Sequence, residues 1–339
     1  MTNFKEYFRS HMKGNLRPII CISSAVLLMT LLLGVYEHPF GYWTSAGNYR
    51  SGYESSLGIP VTFLCILAYV LPVLEFSFFK KRINLDCAYA LPISRRAMGA
   101  VHYLSGLAIL FGTFTLSYLL NFLLMLSYGP GWYHFLPMIP HYFLCLLLGF
   151  ALYSFLVFVF CEANTKGDGI WFMLLYTFLV PLSYATLVTS HILPSTDPGF
   201  PVMPWGVLSR LTHTYRDLVD IARINLKPTS AGFPFWLTPE YVGGFVFWLG
   251  IGILAAIGLF FTFGKRRMEK TEEISDSFFG YRTLIPLYAV FGMLYMKDIL
   301  FWVIIELFAL LGYTIYRRGF RYRKSDIVIL VSLLVLLFV

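Results

Sequence analysis

Charged residues are scarce in this chain, and their scarcity excludes most soluble folds. Only 13% of the 339 residues are charged and 58% are hydrophobic, whereas a soluble domain carries about 25% charged residues. The net charge of +8 does not indicate a nucleic-acid partner, because the basic residues lie in short clusters at the ends of apolar runs. There they set topology and contact lipid headgroups. We therefore expect a multi-pass protein of the cell membrane that is surrounded by membrane lipids.

Paired cysteines are also lacking. The chain has five cysteines, an odd number without any CxxC pair. This usage argues against a disulfide framework and against a cysteine-bound metal, and it predicts free thiols in or near apolar runs. The five residues are Cys21, Cys65, Cys87, Cys145 and Cys161.

Catalytic and nucleotide-binding motifs are missing as well. The segment closest to a phosphate-binding loop, 258–266, has five residues between its glycines where four are required, and it lies inside an apolar run. The seven histidines are scattered without an HExxH pair, and His134 and His141 share a loop without a neighbouring carboxylate. We therefore predict that this chain has no enzyme activity, no cofactor and no metal site.

Long apolar runs dominate what is present. A membrane span needs about 20 apolar residues, and eight runs approach or exceed that length: 19–36, 59–79, 99–126, 142–161, 170–190, 241–263, 283–296 and 299–316. A ninth, shorter run, 327–339, closes the sequence. The expected fold is an all-α polytopic membrane protein with eight spans, or nine if the last run crosses. The last run has no polar residues after it. We therefore expect either that the C-terminus lies at the outer headgroups or that a further domain follows the last run.

Two non-spanning segments show helical periodicity. In residues 1–15, Phe4, Phe8 and Met12 form a stripe between basic residues, which indicates a helix in the cytoplasmic interface; a disordered basic tail is the alternative. The segment 191–240 is expected outside the cell, with an amphipathic helix over 205–223. The N-terminus is therefore predicted to be cytoplasmic.

Some polar residues lie within the apolar runs. Glu306, near the middle of 299–316, is a possible intramembrane polar site; bonding across helices is favoured over a proton relay because no other carboxylate lies at that depth. Glu75 lies little more than a turn before Lys80, and we interpret it as a partner of the basic segment that follows. Ser117 and Asn121, one turn apart, suggest contacts between helices.

The segment FFKKRINLDCAYALPISRR, Phe78–Arg96, is the most distinctive feature between two runs. Its basic residues place it on the cytoplasmic side. Asp86 can cap a short helix that Pro92 ends, and Ser94 can cap the long helix that follows. A compact helical segment at this position can transmit force from a cytoplasmic partner to the two spans.

This segment resembles the first cytoplasmic loop of the membrane-spanning subunits of bacterial type-2 ABC transporters. The matching positions are Lys81, Arg82, Asp86, Leu91, Pro92, Ile93, Ser94 and Arg95. The segment GKRRMEKTEEISDSF, 264–278, resembles the basic and then acidic segment after the sixth span of the same permeases. The resemblance implies a six-span core over 1–265, with a coupling loop at 80–97, and additional spans over 266–339.

The family also implies partners. A separate cytoplasmic ABC ATPase would bind ATP and Mg²⁺, and a second permease subunit, identical or different, would complete the transporter. In the coupling loop, Leu91 and Ile93 would enter a groove of the ATPase, and Arg95 and Arg96 would pair with its acidic groups. The expected function is ATP-driven movement, as an exporter, of a hydrophobic or amphipathic peptide, lipid or drug. A non-transporting membrane sensor or assembly subunit is the alternative, and an intramembrane enzyme is a weaker one.

Overall fold

In the computed structural model, the regular elements of the described residues are helices apart from a two-residue antiparallel pair, in which Tyr42 lies opposite Arg50 and Trp43 opposite Tyr49. The structure describes most of the apolar runs and parts of the connecting segments. The described residues are 4–37, 42–43, 49–50, 57–84, 90, 92–127, 135–189, 206, 208, 212, 239–264, 272–273, 275, 277–296, 298–317, 319–320 and 322–336.

The elements follow the predicted runs closely. In the first half they are α1 (Phe4–Gly14), α2 (Leu16–Glu37), β1 (Tyr42–Trp43), β2 (Tyr49–Arg50), α3 (Gly58–Phe76), a 3₁₀ turn (Ser77–Lys80), α4 (Arg95–Ser127) and α5 (Phe135–Glu162). In the second half they are α6 (Lys166–Thr189), α7 (Pro239–Phe263), α8 (Tyr281–Tyr295), α9 (Ile299–Arg317) and α10 (Lys324–Leu336). The predicted helix over 205–223 lies outside the described residues, except that Gly206, Leu208 and Thr212 are helical.

Among the described residues, seven helices are long and apolar enough to cross a membrane. They are α2, α3 with its 3₁₀ turn, α4, α5, α6, α7 and α9. The predicted eighth span, 283–296, does form helix α8, but its 15 residues give a length of about 22 Å. This is short of the hydrocarbon core of about 30 Å, so the prediction of eight full spans is wrong for the described helices. The last run forms α10, which has 13 residues.

The chain forms two compact units, each a group of contacting helices. The first unit comprises Met1–Phe78, Asp86–Phe158 and Pro204–Arg266. The second unit comprises Phe79–Leu85, Val159–Met203 and Arg267–Val339. The division at residue 265, which the family resemblance implied, stays a prediction.

Helix α4 is the centre of the first unit, where it packs against α1, α2, α3 and α7. Hydroxyl pairs join α2 to α4: Ser23 Oγ lies 2.9 Å from Thr113 Oγ1, and Thr30 Oγ1 lies 2.8 Å from Ser117 Oγ. Such pairs satisfy polar groups that lipid cannot solvate, and they hold membrane helices together. Ser117 therefore contributes to a contact between helices, as the sequence suggested.

Small residues allow α5 and α7 to approach closely. A Cβ atom added to Gly252 of α7 would lie 2.3 Å from the Cα atom of Ala151 in α5. Because the obstacle is backbone, no rotamer change could relieve the clash. Without a hydrophobic driving force between helices in lipid, this tight packing is a main source of their association.

The second unit is built on α6, α8, α9 and α10, with α8 packed against the other three. Its core contains Ala289, Met293 and Ala309, and Trp302 Nε1 donates to the carbonyl oxygen of Met293 at 2.7 Å. Thr186 of α6 donates to the carbonyl oxygen of Phe291 in α8 at 3.1 Å. These bonds link neighbouring helices in addition to apolar packing.

Helix α1 confirms the predicted amphipathic helix at the N-terminus. Its half-buried side chains, Tyr7, Phe8, His11 and Met12, lie on one face, whereas Phe4 is 43% exposed. The buried face packs against α4, and α1 also contacts α2. The helix is therefore held by neighbouring helices through a partly polar face, and its apolar stripe begins at Tyr7 rather than at Phe4.

Candidate functional site

Lys80 closes the C-terminal end of helix α5. Its side chain is buried, and Nζ donates to the carbonyl oxygens of Phe160 at 2.9 Å, Cys161 at 3.4 Å and Ala163. Nζ also lies 4.9 Å from the ring centroid of Phe160. The last carbonyls of a helix lack intrahelical partners and carry partial negative charge. The ammonium group satisfies them and joins the end of the 3₁₀ turn to the end of α5.

Glu272 connects two of the short loops in the same unit. Its Oε1 accepts the backbone N–H of Arg82 at 3.3 Å, and its own N–H donates to the carbonyl oxygen of Asn164 at 3.4 Å. Nearby, Ser275 Oγ donates to the carbonyl oxygen of Glu162 at 2.8 Å. These contacts, with those of Lys80, bring together three short stretches of the second unit, which we call the loop cluster: Lys80 with Arg82, Phe160 to Asn164, and Glu272 with Ser275.

The loop cluster joins the connections after the second, fourth and sixth long helices. The side of the membrane on which these connections lie stays a prediction. Glu272 has φ 72, an unfavourable backbone conformation for a residue with a Cβ that costs on the order of 1 kcal/mol or more. The two bonds of Glu272 hold it in that conformation.

Ser94 confirms its predicted role as the cap of α4. Its Oγ accepts the backbone N–H of Ala97 at 3.2 Å, and its carbonyl oxygen accepts the N–H of Met98 at 3.0 Å. This is the geometry of an N-cap. Pro92 is exposed and Ile93 is half-exposed in the bend before it. Asp86, Leu91 and the short helix predicted between Asp86 and Pro92 lie outside the described residues.

Arg95 and Arg96 are the first two residues of α4, and both are exposed. The stem of Arg96 packs against the end of α7, since a Cβ added to Gly264 would lie 2.8 Å from its Cγ atom. The positive end of the helix dipole lies at a helix N-terminus, where cations are disfavoured. Arg95 and Arg96 therefore occupy exposed positions at which the helix dipole disfavours a positive charge.

A second cluster lies inside the first unit, where α1, α3 and α4 meet. Glu75 Oε2 is 2.9 Å from His11 Nε2 and 3.3 Å from His102 Nδ1. The side chains of Glu75 and His102 are each 5% exposed, and that of His11 is 12% exposed. The centroids of the two imidazole rings are 4.2 Å apart. One carboxylate and two imidazole groups thus lie together at a site with little access to solvent.

Polar neighbours surround this histidine–glutamate cluster. Ser105 Oγ donates to Glu75 Oε1 at 3.2 Å, and the hydroxyl of Tyr7 lies 3.5 Å from His102 Nε2. Burial and the negative charge of Glu75 raise the pKa of the Tyr7 phenol above its ordinary value. Tyr7 therefore stays neutral and can donate to the cluster throughout the physiological pH range.

The sequence-based interpretation of Glu75 is wrong. Glu75 and Lys80 are five positions apart, and five helical residues turn by about 140° beyond a full turn, so the two side chains diverge. Glu75 pairs with histidines, and Lys80 caps α5. The useful signal in the sequence was an ionisable residue within an apolar run. His11 and His102 are 64 and 27 residues from Glu75, so spacing alone does not reveal the cluster.

Two other polar positions differ from expectation. His141 lies in helix α5 rather than in a loop, and its Nδ1 is 2.9 Å from the hydroxyl of Tyr118. Glu306 is half-buried in α9, and within the described ranges of the chain its Oε2 atom has no hydrogen-bond partner. The bond across helices expected for Glu306 is therefore not formed by that atom.

Each unit also has an apolar groove. In the first unit a cavity of about 310 Å³ is lined mainly by Tyr118, Phe122, Tyr142 and Phe143. In the second unit a cavity of about 380 Å³ is lined by residues that include Tyr281, Tyr288 and Phe308. Aromatic and aliphatic walls of this kind accept acyl chains or apolar side chains.

Compared with known proteins, the chain matches no family model, and no curated protein matches its sequence. The described part of the structure is a multi-helix protein with seven candidate membrane spans. Its function must therefore be argued from the loop cluster, the N-terminus of α4 and the histidine–glutamate cluster.

Proposed function

We propose that this chain is the membrane-spanning subunit of an ATP-driven transporter of the type-2 ABC class. The order of its elements supports this proposal. An amphipathic helix, α1, precedes the first long apolar helix, and the short 80–97 loop joins the second and third. The segment that includes Glu272 and Ser275 follows the sixth long apolar helix, α7, as in the permeases that the sequence resembles.

The observation that carries the proposal is the exposed cationic start of α4. Pro92 bends the chain, Ser94 fixes the first turn of α4, and Arg95 and Arg96 are exposed against the direction favoured by the helix dipole. Two arginines at positions where the helix dipole disfavours a positive charge are consistent with a role in binding a partner. Pairing of exposed arginines with carboxylates is a common means of protein recognition.

Force applied to this loop has a direct path into the helices. Helices α3 and α4 carry the two ends of the loop, and they pack against each other. We propose that a separate cytoplasmic ABC ATPase binds ATP and Mg²⁺ and moves the loop, which tilts α3 and α4. A second permease subunit would form the other wall of the path. The apolar grooves favour a hydrophobic or amphipathic substrate, and export is the proposed direction.

Purification from native membranes tests the proposal. The tagged chain, extracted in a mild detergent, is expected to retain an ABC ATPase at one or two copies per permease pair, identified by mass spectrometry. ATP hydrolysis by the complex should respond to reconstitution into lipid. A chain that purifies alone under several mild detergents, with no ATPase bound, would contradict the proposal and favour a non-transporting membrane sensor.

A further inference from the structure

We propose that His11, Glu75 and His102 form a binding site for a divalent transition-metal ion, with Zn²⁺ as the best match. Each residue offers one ligand atom, and the three atoms lie within 4.8 Å of one another. They come from three different helices: α1 supplies His11, α3 supplies Glu75 and α4 supplies His102. This proposal does not depend on the function proposed above.

The two separations that involve Glu75 are close to those of tetrahedral coordination. Donor atoms at about 2.0–2.1 Å from zinc lie about 3.3 Å from one another in a tetrahedron. The carboxylate oxygen of Glu75 is 2.9 Å from the ligand nitrogen of His11 and 3.3 Å from that of His102. To admit the ion, the contact between His11 and Glu75 would have to lengthen, and the two histidine nitrogens would have to take a similar separation within the 4.8 Å that bounds the three atoms.

The donor set determines which ion is favoured. Two imidazole nitrogens and one carboxylate oxygen suit zinc and its neighbours in the first transition series, whereas magnesium and calcium prefer oxygen ligands throughout. Three protein ligands leave a fourth position for water. Both ion pairs of Glu75 among the described residues are with histidines, so a bound cation would neutralise the carboxylate without displacing a lysine or arginine.

The groups around the cluster orient its ligands. Ser105 donates to Glu75 Oε1 and leaves Oε2 facing both histidines. The hydroxyl of Tyr7 lies near His102 Nε2, while Nδ1 of the same ring faces Glu75. Outer hydrogen bonds of this kind fix the orientation of metal-binding residues. The partly exposed His11 side chain provides a route by which an ion can enter.

Ion binding would tie α1 to the two helices that carry the 80–97 loop. If the chain is an ABC permease, and this clause rests on the proposed function, the bound ion would restrain movement of α3 and α4 and so lower the turnover of the transporter. The transport effect and the binding itself are separable, because binding can be measured on the isolated chain.

The competing interpretation is a hydrogen-bonded His–Glu–His cluster that takes no ion. Replacement of either histidine by glutamine distinguishes the two interpretations. The side-chain amide of glutamine can still donate to Glu75, whereas it is a poor zinc ligand. We would purify the full chain in detergent, remove metals with a chelator and titrate Zn²⁺ against a chromogenic zinc indicator. The variants are His11→Gln and His102→Gln. The matched control is His141→Gln, which changes another buried histidine outside the cluster.

The wild-type chain is expected to bind one Zn²⁺ per chain, with affinity reduced at least about 100-fold in each cluster variant and unchanged in the His141→Gln control. Zinc should raise the melting temperature of the wild type and of the control only. Co²⁺ bound to the wild type should give the visible absorption of a tetrahedral centre, a measurement that requires no variant. Absence of stoichiometric zinc binding by the wild type, or equal binding by His11→Gln and His102→Gln, would overturn the proposal.

Discussion

The Nζ atom of Lys80 lies 2.9 Å from the carbonyl oxygen of Phe160, a residue 80 positions further along the chain. The ammonium group at the end of one apolar helix thereby donates hydrogen bonds to the terminal carbonyl oxygens of another. The basic residues around the 80–97 loop consequently have different roles. Lys80 is structural, whereas Arg95 and Arg96 are exposed.

Replacement of Lys80 by Met is expected to destabilise the protein by about 2 kcal/mol or more, since hydrogen bonds to charged groups contribute about 1.5–3 kcal/mol. Methionine keeps the apolar stem and removes the ammonium group, so the carbonyls at the end of α5 lose the hydrogen bonds that Lys80 donates. Thermal unfolding in detergent measures the change. The neighbouring exposed residue provides the control, and Lys81→Met should have little effect. Equal losses in both variants would show that Lys80 has no special structural role.

Charge reversal of Arg95 and Arg96 is expected to uncouple ATP hydrolysis from transport without unfolding the chain. Acidic residues at the N-terminus of α4 agree with the helix dipole, so helix stability should be kept or improved. The measurement is ATPase binding and substrate transport in reconstituted vesicles. Lys166, an exposed basic residue at the first position of α6, gives the matched control Lys166→Glu. Normal coupling in the Arg95→Glu/Arg96→Glu double variant would argue against a role for these arginines.

Two glycines of α7 are expected to respond in opposite ways to alanine. In Gly252→Ala the new Cβ meets the backbone of Ala151 at 2.3 Å, and overpacking of this kind costs about 1–3 kcal/mol. A Cβ at Gly250 has no neighbour within 4 Å, and Gly250→Ala should gain up to about 1 kcal/mol from helix propensity. Melting temperatures of both variants in the same detergent test this. Similar values for the two would contradict the close approach of α5 and α7.

The pair formed by Arg317 and Asp326 predicts a dependence of stability on pH. Arg317 donates to the two carboxylate oxygens of Asp326 at 2.8 and 3.0 Å, and the N–H of Arg323 donates to one of them at 3.0 Å. Burial alone would raise the pKa of Asp326, but these hydrogen bonds and the Arg317 charge outweigh burial and hold that pKa below its ordinary value. The stabilisation is therefore complete above the ordinary aspartate pKa of about 3.9 and is lost as the pH falls through the lower folded-state pKa.

The Asp326→Asn variant removes this titration. Its melting temperature should be lower than that of the wild type at neutral pH, and the difference should shrink as the pH falls below about 3.9. Measurements in buffers from pH 6 to pH 3 span the ordinary aspartate pKa of about 3.9, and Asp298→Asn provides a comparison in the same unit. A difference between wild type and Asp326→Asn that does not change with pH would show that the ion pair contributes nothing measurable.

The positions of the helices could be predicted because an apolar run of span length has few alternatives in a membrane protein. The cap at Ser94 was predictable for a local reason, since its bond to Ala97 spans three residues. Helix α8 was counted as a span because the run 283–296 is continuously apolar, although that run is itself shorter than the length needed to cross the hydrocarbon core.

Contacts between distant helices could not be predicted in the same way. The partner of Glu75 depends on which faces of α1, α3 and α4 meet, and apolar helices in lipid carry almost no periodicity to indicate a buried face. The contacts of Lys80 with Phe160 and of Glu272 with Asn164 have the same origin. The basic residues of 78–96 and 265–270 predicted a cytoplasmic side for those two segments, but they carried no information on the atoms that meet there.

The cap provided by Lys80 also has a consequence for biogenesis. At about 5–20 residues per second, Lys80 leaves the ribosome about 4–16 s before its acceptors at the end of α5. During that interval the ammonium group can remain among water and headgroups, so α3 enters the bilayer with its end unattached. Insertion of α5 then supplies the carbonyl oxygens, and the two spans become joined only when the fourth long helix is in place. The side chain of Lys80 thus forms a bond that has to wait until 80 further residues have been synthesised.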